Sequence, residues 1–368
     1  MMKKFLAFAM SLAMVFSLAA CNSGGSSASN ASEDSTSAAG SSEAGAPAGS
    51  SGGDLITVGF AQVGHESDWR TASTNSVQAA FSKDKGFDLQ FVDCDNNSAK
   101  QLEAVRNFIQ QGVDYIVIDP IVSTGWDTVL TEAQSAGIPV IVIDRTIDDS
   151  DKYVSWVGSE FTNEGLAAGA WLKAYAEKKG IKEINALVIE GTTGSSAQIG
   201  RTNGFKKYAD ANGWKILDSQ SGNFTQDGGQ SVMESYCKSY QGKFNVVVCQ
   251  NDNEAFGAED AMNAAGVKYG IDGDVVLISF DACKAGLKEV LSGKINADFQ
   301  CNPLQGPFCA DIISKLAAGQ TVEKKTYMKE PWYVSEDVLT DISYTNNAGN
   351  DVTEPLIHVT QDVVDKAY

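Results

Sequence analysis

The chain is 368 residues long, 43% hydrophobic and 20% charged, with 28 Lys and Arg against 47 Asp and Glu for a net charge of −19. Such an acidic surface argues against nucleic acid as a partner, because binding nucleic acid relies on basic surface. The length suits two domains of ordinary size.

In chain order the first segment is MMKKFLAFAMSLAMVFSLAA, residues 1–20. Two lysines precede an apolar run shorter than the roughly 20 residues that span a bilayer, and small residues follow. This is the pattern of a removable secretory signal, and it leaves a still more acidic mature chain. LAAC, ending at Cys21, resembles a bacterial lipobox, in which the cysteine is lipidated and becomes the first mature residue; a plain signal followed by an incidental cysteine is the alternative. Through residue 53 the chain is almost wholly Ser, Gly and Ala with a few acids. Such a stretch cannot bury enough apolar surface to offset chain entropy and reads as a flexible tether. No later apolar run approaches a spanning length.

From residue 54 short β-rich runs alternate with helical patterns. The runs are ITVGFA (56–61), LQFV (89–92), YIVID (115–119), VIVID (140–144), ALVIE (186–190), NVVVC (245–249) and VVLISF (275–280). Between them lie helices such as Lys100–Gln111, with Leu102, Val105, Phe108 and Ile109 on one face. Continuous apolar strands separated by amphipathic helices predict buried parallel sheet and an α/β fold. AGIPVIVIDR (136–145) and AGVKYGIDGDVVLISFD (265–281) echo one another, which predicts two similar doubly wound lobes.

Ligands of open parallel sheets bind beyond the carboxyl ends of the strands. Those ends carry Asp119, the pair Asp144 and Arg145, EGTTGSSAQIGR up to Arg201, Asn251 with Asp252, and Asp281; the loop VGHESDWRTAS (63–73) adds Trp69 and Arg70. Any single acid there can be a helix N-cap and nothing more. Five ends carrying acids and arginines together need another explanation. A sugar ring offers hydroxyls that donate and accept, with apolar C–H faces above and below, and is met by carboxylates, amides, guanidinium groups and aromatic faces. Hydrogen bonds to charged groups contribute about 1.5–3 kcal/mol each, so several can hold a very polar ligand.

Other chemistries find less support. EGTTGSS lacks the lysine of a phosphate-binding GxxxxGK[ST] loop, and no GxGxxG follows the first strand. Cys94, Cys237, Cys249, Cys283, Cys301 and Cys309 form no CxxC pair, and only His65 and His358 are present, so neither a metal nor a cofactor is expected. Free buried thiols fit a chain of this length better than disulfides, although an exported chain leaves both open.

From about Leu55 onward the sequence resembles the type I periplasmic sugar-binding proteins of ABC transporters, above all the galactofuranose-binding type, with ribose binders as wider relatives. The resemblance is collinear through VGFAQVGHESDWR, EAVRNFIQQGVDYIVIDPIVSTGW, IPVIVIDR, GTTGSSAQIGRTNGF, SQSGNFTQDGGQSVMES and QNDNEAFGA. It implies two α/β lobes joined by a hinge of three chain crossings, residues 54–159 with 302–329 and residues 160–301 with 330–368. It also implies ligand contacts from Trp69, Arg70, Asp144, Arg145, Arg201, Phe224, Asn251 and Asp281, with Asp119, Thr124 and Trp126 beside the site. Ribose binders carry a glutamine on the last hinge strand where Cys301 stands here beside Gln300, so contact from that segment is not carried over; the stretch beyond about Glu330 is longer than in the family.

The function so implied is non-enzymatic: a monomeric, lipid-anchored, extracytoplasmic binding protein that captures a monosaccharide, galactofuranose or a related furanose, and delivers it to an ABC permease. A lipobox followed by a long tether suits a Gram-positive cell surface. A receptor for a sensor kinase or chemoreceptor, or an autoinducer binder, is the alternative on the same fold. A LacI-type repressor would need a helix-turn-helix where this chain has its signal and tether. Glycoside hydrolysis needs a carboxylate separation that sequence spacing does not establish.

Overall fold

The computed structural model describes residues 55–368; the signal-like segment, Cys21 and the whole tether lie outside the described residues. The first part of the chain runs β1 (Ile56–Gln62), α1 (Asp68–Ala80), β2 (Phe87–Asp93), α2 (Ser98–Gln111), β3 (Tyr115–Ile118), α3 (Asp127–Ser135), β4 (Val140–Ile143) and β5 (Ser155–Gly158). The second runs α4 (Phe161–Lys179), β6 (Asn185–Glu190), α5 (Ser196–Asn212), β7 (Lys215–Ser221), α6 (Gln226–Ser239), β8 (Val246–Cys249), α7 (Asp252–Ala264), β9 (Val276–Asp281), α8 (Lys284–Leu291) and β10 (Ala297–Gln300). The remainder comprises α9 (Gly306–Ala317), β11 (Lys325–Tyr327), β12 (Trp332–Val334), β13 (Asp341–Thr345), β14 (Asp351–His358) and α10 (Gln361–Lys366).

Two sheets result, in the orders β11-β5-β4-β3-β1-β2 and β13-β14-β12-β10-β9-β8-β6-β7. In each, the first five strands follow the same second-first-third-fourth-fifth order and pair in parallel. The internal echo of the sequence is therefore a repeated doubly wound unit, as expected. The chain passes between the sheets three times, from β5 to α4, from β10 to α9 and from β11 to β12. Ser159, on the first crossing, donates its hydroxyl to Glu330 on the third, and the same carboxylate oxygen accepts the N–H of Asn302 on the second at 2.9 Å. One carboxyl thus ties all three crossings.

Alternation along the strands decides which core each side chain joins. Ile116, Ile118, Val140 and Val142 face α2 and α3, whereas Val117, Ile141 and Ile143 join the core that holds Val77 of α1 and Ile313 of α9. The second sheet is covered likewise on both faces. Helix α2 shows how the sequence sets its own limits. The Asn97 side chain caps the N–H groups of Ala99 and Lys100, and Gly112 ends the helix at φ 68°.

Sequence reading finds the buried strands with continuous apolar runs and misses β5, β7 and β10–β14. β7 is an edge strand of mixed exposure, and β10 carries the buried Asp298 within its four residues. The stretch beyond Glu330 includes the β13–β14 hairpin, which extends the second sheet through β14 beside β12. The six cysteines of the described residues are buried free thiols. Among the described residues no helix is long and apolar enough to cross a membrane.

Candidate functional site

The carboxyl ends of the two sheets face a small cavity of about 20 Å³ walled by both halves. About 10–15 Å³ of such space holds one water molecule, so the halves are drawn together around the site and a larger ligand enters only as they part. The halves meet around it through main-chain donors: Asp68 to Asn253 Oδ1 at 3.1 Å, Ser123 to Gly194 O at 2.9 Å, and Thr146 to Ser196 Oγ at 2.8 Å.

On the first side, Ser67 caps α1 by accepting the Arg70 N–H at 3.1 Å, which sets Trp69 and Arg70 on the opening turn. Arg70 is fully engaged: Nε donates to Glu66 at 3.0 Å, Nη1 to Asp119, and Nη2 to Asp144 at 3.1 Å. Its guanidinium also covers one face of Trp69, 4.6 Å from the ring centroid. The Trp69 indole N–H donates to Cys301 O at 2.7 Å. Asp144 sits at φ 56°, a left-handed conformation that costs free energy outside glycine and persists only where its surroundings over-determine it. Arg145 donates from Nη1 to Ile121 O at 3.0 Å, and its buried Nε has no protein partner; neither has Glu66 Oε2. A ligand hydroxyl, which both donates and accepts, is the chemistry that satisfies such a pair.

On the second side, Arg201 donates to Glu164 at 2.6 Å, to Gln250 O, and to Asp281 at 2.9 Å. Asp281 and Ala282 both have positive φ, 98° and 52°, and buried acids hold this turn: Asp298 accepts the Ala282 N–H at 3.1 Å, and Asp252 the Cys283 N–H at 2.8 Å. Phe224, at φ 62°, is clamped through both backbone groups, its N–H by Glu254 at 2.9 Å and its carbonyl by the Asn251 amide at 3.1 Å. Asn251 also caps α7 by accepting the Glu254 N–H at 2.8 Å, so its amide serves the structure from both ends.

Burial and paired charge set the protonation. Burial pushes up the Glu66 carboxyl, but Arg70 and Arg145 beside it prevail and hold it below the usual range. For Asp119 burial wins over Arg70, and the carboxyl lies well above its usual range. Burial raises Glu164 and Asp281 each to about 7 against the pull of Arg201. The Arg145 guanidinium is lowered by burial and by Arg70 nearby.

The structure brings Trp69, Arg70, Asp144, Arg145, Arg201, Phe224, Asn251 and Asp281 together on the cavity wall. Asp119 stands behind Arg70, fully buried. Thr124 and Trp126 do not line the cavity. Thr124 is exposed before α3, and Trp126 packs in the first core with its indole N–H on Val122 O at 2.8 Å. Sequence reading overlooked Glu66, whose signal was its i,i+4 spacing to Arg70, and Phe161, which opens α4 after the first crossing with no pattern to mark it. Cys301, whose segment the family resemblance does not mark as a contact, also lines the wall.

Comparison with known proteins matches residues 58–321 to a family model described as periplasmic binding protein domain. The galactofuranose-binding protein YtfQ of Escherichia coli (strain K12) is 37% identical over 300 residues, covering 80% of this chain and 92% of that protein. A Mycobacterium smegmatis structure in complex with β-D-fucofuranose matches with a TM-score of 0.73 and 41% identity, covering 76% of this chain and 92% of that one. The periplasmic binding protein component of the arabinose ABC transporter from Shewanella sp. ANA-3, bound to α- and β-L-arabinofuranose, matches with a TM-score of 0.71 and 36% identity over 76% and 92% of the two chains.

Proposed function

Since the chain belongs to the periplasmic binding protein family, we propose that it captures a single furanose sugar between its two lobes and presents it to an ABC importer. The observation that carries this reading is the cavity wall itself, on which Trp69 and Phe224 come from opposite lobes among three buried arginines and their carboxylates. Aromatic faces suit the apolar sides of a sugar ring, and charged donors and acceptors suit its hydroxyls. The preference for a five-membered ring is supported by the relatives, whose names and bound ligands are furanoses in the three cases described. Those relatives are named for binding and transport and not for catalysis, in keeping with a non-enzymatic role.

Closure of the lobes buries the sugar, and the closed surface is the form a permease recognises. We assign residues 54–159 with 302–329 to one lobe and 160–301 with 330–368 to the other. Lipidation at Cys21 and the tether hold this body, as a monomer, at the outer face of the cytoplasmic membrane of a Gram-positive cell.

Calorimetric titration of ligand-stripped protein with methyl β-D-galactofuranoside, L-arabinose, D-fructose, D-ribose and D-galactose tests the reading. The expected result is one-to-one binding of a sugar with an accessible furanose form. Folded protein that binds none of them overturns it.

A further inference from the structure

Tyr368, which follows α10, reaches back to the edge of the sugar cavity. Its hydroxyl donates to Asp281 O at 2.5 Å and lies 3.4 Å from Cys301 O. Cys301 O is the same carbonyl that accepts the Trp69 indole N–H at 2.7 Å. The ring packs against the small apolar cluster that contains Trp69, Phe224 and Cys301. It also lines a cleft between Asp68 and Thr71 of α1 on one side and Cys283 and Lys284 at the start of α8 on the other, at the seam of the lobes.

Two features make this more than tail packing. The segment is fixed before it reaches the seam: Val364 of α10 is buried in the same core as Leu287 of α8, and Lys284 donates its main-chain N–H to Tyr368 O at 3.2 Å. The carbonyl it grips also belongs to Asp281, which sits at φ 98° and holds Arg201 through its carboxylate at 2.9 Å. A backbone in that region stays put only where neighbours over-determine it. One hydroxyl therefore touches the supports of Trp69 on one lobe and of Arg201 on the other.

We propose that Tyr368 is a positioning residue for sugar binding: its hydroxyl fixes the Asp281 carbonyl, which also accepts the Cys301 N–H at 3.4 Å, and through these two peptides it orients Arg201 and Trp69 in the closed form. The inference rests on the sugar-binding reading of the cavity.

The test is Tyr368→Phe in the full chain, which keeps the ring and removes the hydroxyl. With whichever sugar of the panel above binds the wild type, the dissociation constant rises about three- to tenfold, the worth of one hydrogen bond. Thermal melting stays near that of the wild type. In ligand-free protein labelled with ¹⁵N at tryptophan, the Trp69 indole N–H exchanges with solvent severalfold faster in the variant. A double-mutant cycle with Trp69→Phe gives a loss that is not the sum of the two single losses, because both side chains act on the Cys301 peptide, one at its carbonyl and the other through Asp281 O. A dissociation constant within twofold of the wild type, or strictly additive losses, overturns the proposal. If no panel sugar binds the wild type, the sugar reading fails separately, and the indole decides: faster exchange supports the positioning role and unchanged exchange overturns it.

Discussion

Glu254 accepts the backbone N–H of Phe224 at 2.9 Å, and this bond holds an aromatic residue of the cavity wall in a left-handed conformation, φ 62°, that few bulky residues adopt. Removing the acceptor leaves a buried N–H unpaired and frees the backbone to relax, at a cost of about 1–3 kcal/mol. Glu254→Ala is therefore expected to lower the melting temperature and weaken sugar binding by roughly tenfold or more. Glu254→Gln, which keeps an acceptor of the same shape, retains most of both. Calorimetric titration beside thermal melting of the two variants checks the contrast.

The buried acids give the fold a definite pH dependence. Burial raises Glu254 from 4.5 to about 8, and Glu164 and Asp281 to about 7. A carboxyl whose folded pKa exceeds its unfolded one binds more protons when native, so stability falls as pH rises between the two values. Urea unfolding is expected to show stability declining from about pH 5 to about pH 8, by at most about 1.4 kcal/mol per pH unit for each proton held. Glu66, held below its usual range by Arg70 and Arg145, acts oppositely, but only in acid below that window. In Glu254→Gln the decline is shallower by the share of one proton, and an unaltered slope counts against the assignment.

Arg70 illustrates how much of the site was legible in the sequence. Its place after the first strand, and those of Asp144 and Arg145 after the fourth, follow from the apolar runs and the carboxyl-end rule, because strands buried on both faces announce themselves. What was not legible is how the side chains divide their labour. Asp119, expected beside the site, stands behind Arg70, and the Asn251 amide on the cavity wall also bonds Phe224 O and caps a helix. Trp126 follows the same kind of strand end as Trp69, but burial in the first core depends on distant partners that no local pattern encodes. The short strands after the second crossing were missed for a related reason, since β12 and β14 owe their pairing to neighbours remote in sequence.

The Arg70 cluster predicts an asymmetric response to substitution. Arg70 meets three carboxylates with three separate nitrogens, a geometry that one lysine ammonium does not reproduce. Arg70→Lys leaves buried charge poorly paired and is expected to cost about 3–5 kcal/mol of stability along with measurable sugar binding. Asp119→Asn, at a carboxyl that burial already raises well above its usual range, is expected to cost far less. Parallel denaturant curves decide it, and equal losses from the two substitutions refute the account.

The cysteines should be silent in the folded protein. All six in the described residues are buried, and burial raises each thiol above its usual range, to about 12 at Cys94. Thiolate is the reactive form, so both access and chemistry oppose reaction. Ellman's reagent at pH 8 is expected to leave Cys94, Cys237, Cys249, Cys283, Cys301 and Cys309 unmodified in native protein, and to modify all six after unfolding, as read by peptide mass spectrometry. Reaction at Cys301 in ligand-free but not sugar-loaded protein would show that the lobes open to expose the wall.

Gly191 supplies the sharpest steric test of where the sugar sits. A Cβ built at this position would lie 1.9 Å from Phe224 Cζ, far inside any real contact. The ring cannot step aside cheaply, because Glu254 and Asn251 hold both ends of its backbone and the side chain is 5% exposed. Gly191→Ala therefore drives the Phe224 ring away from Gly191 and disturbs the cavity wall, including the ring's approach to Arg145 and Arg201, while leaving every arginine and carboxylate of the site in the sequence. Sugar affinity is expected to fall at least tenfold, whereas the melting temperature drops only by what overpacking costs, about 1–3 kcal/mol. Gly191→Ala combined with Phe224→Leu relieves the clash and recovers the stability but not the affinity, since the aromatic face is gone. Full affinity in Gly191→Ala alone, measured by the same titration, would remove Phe224 from the binding wall.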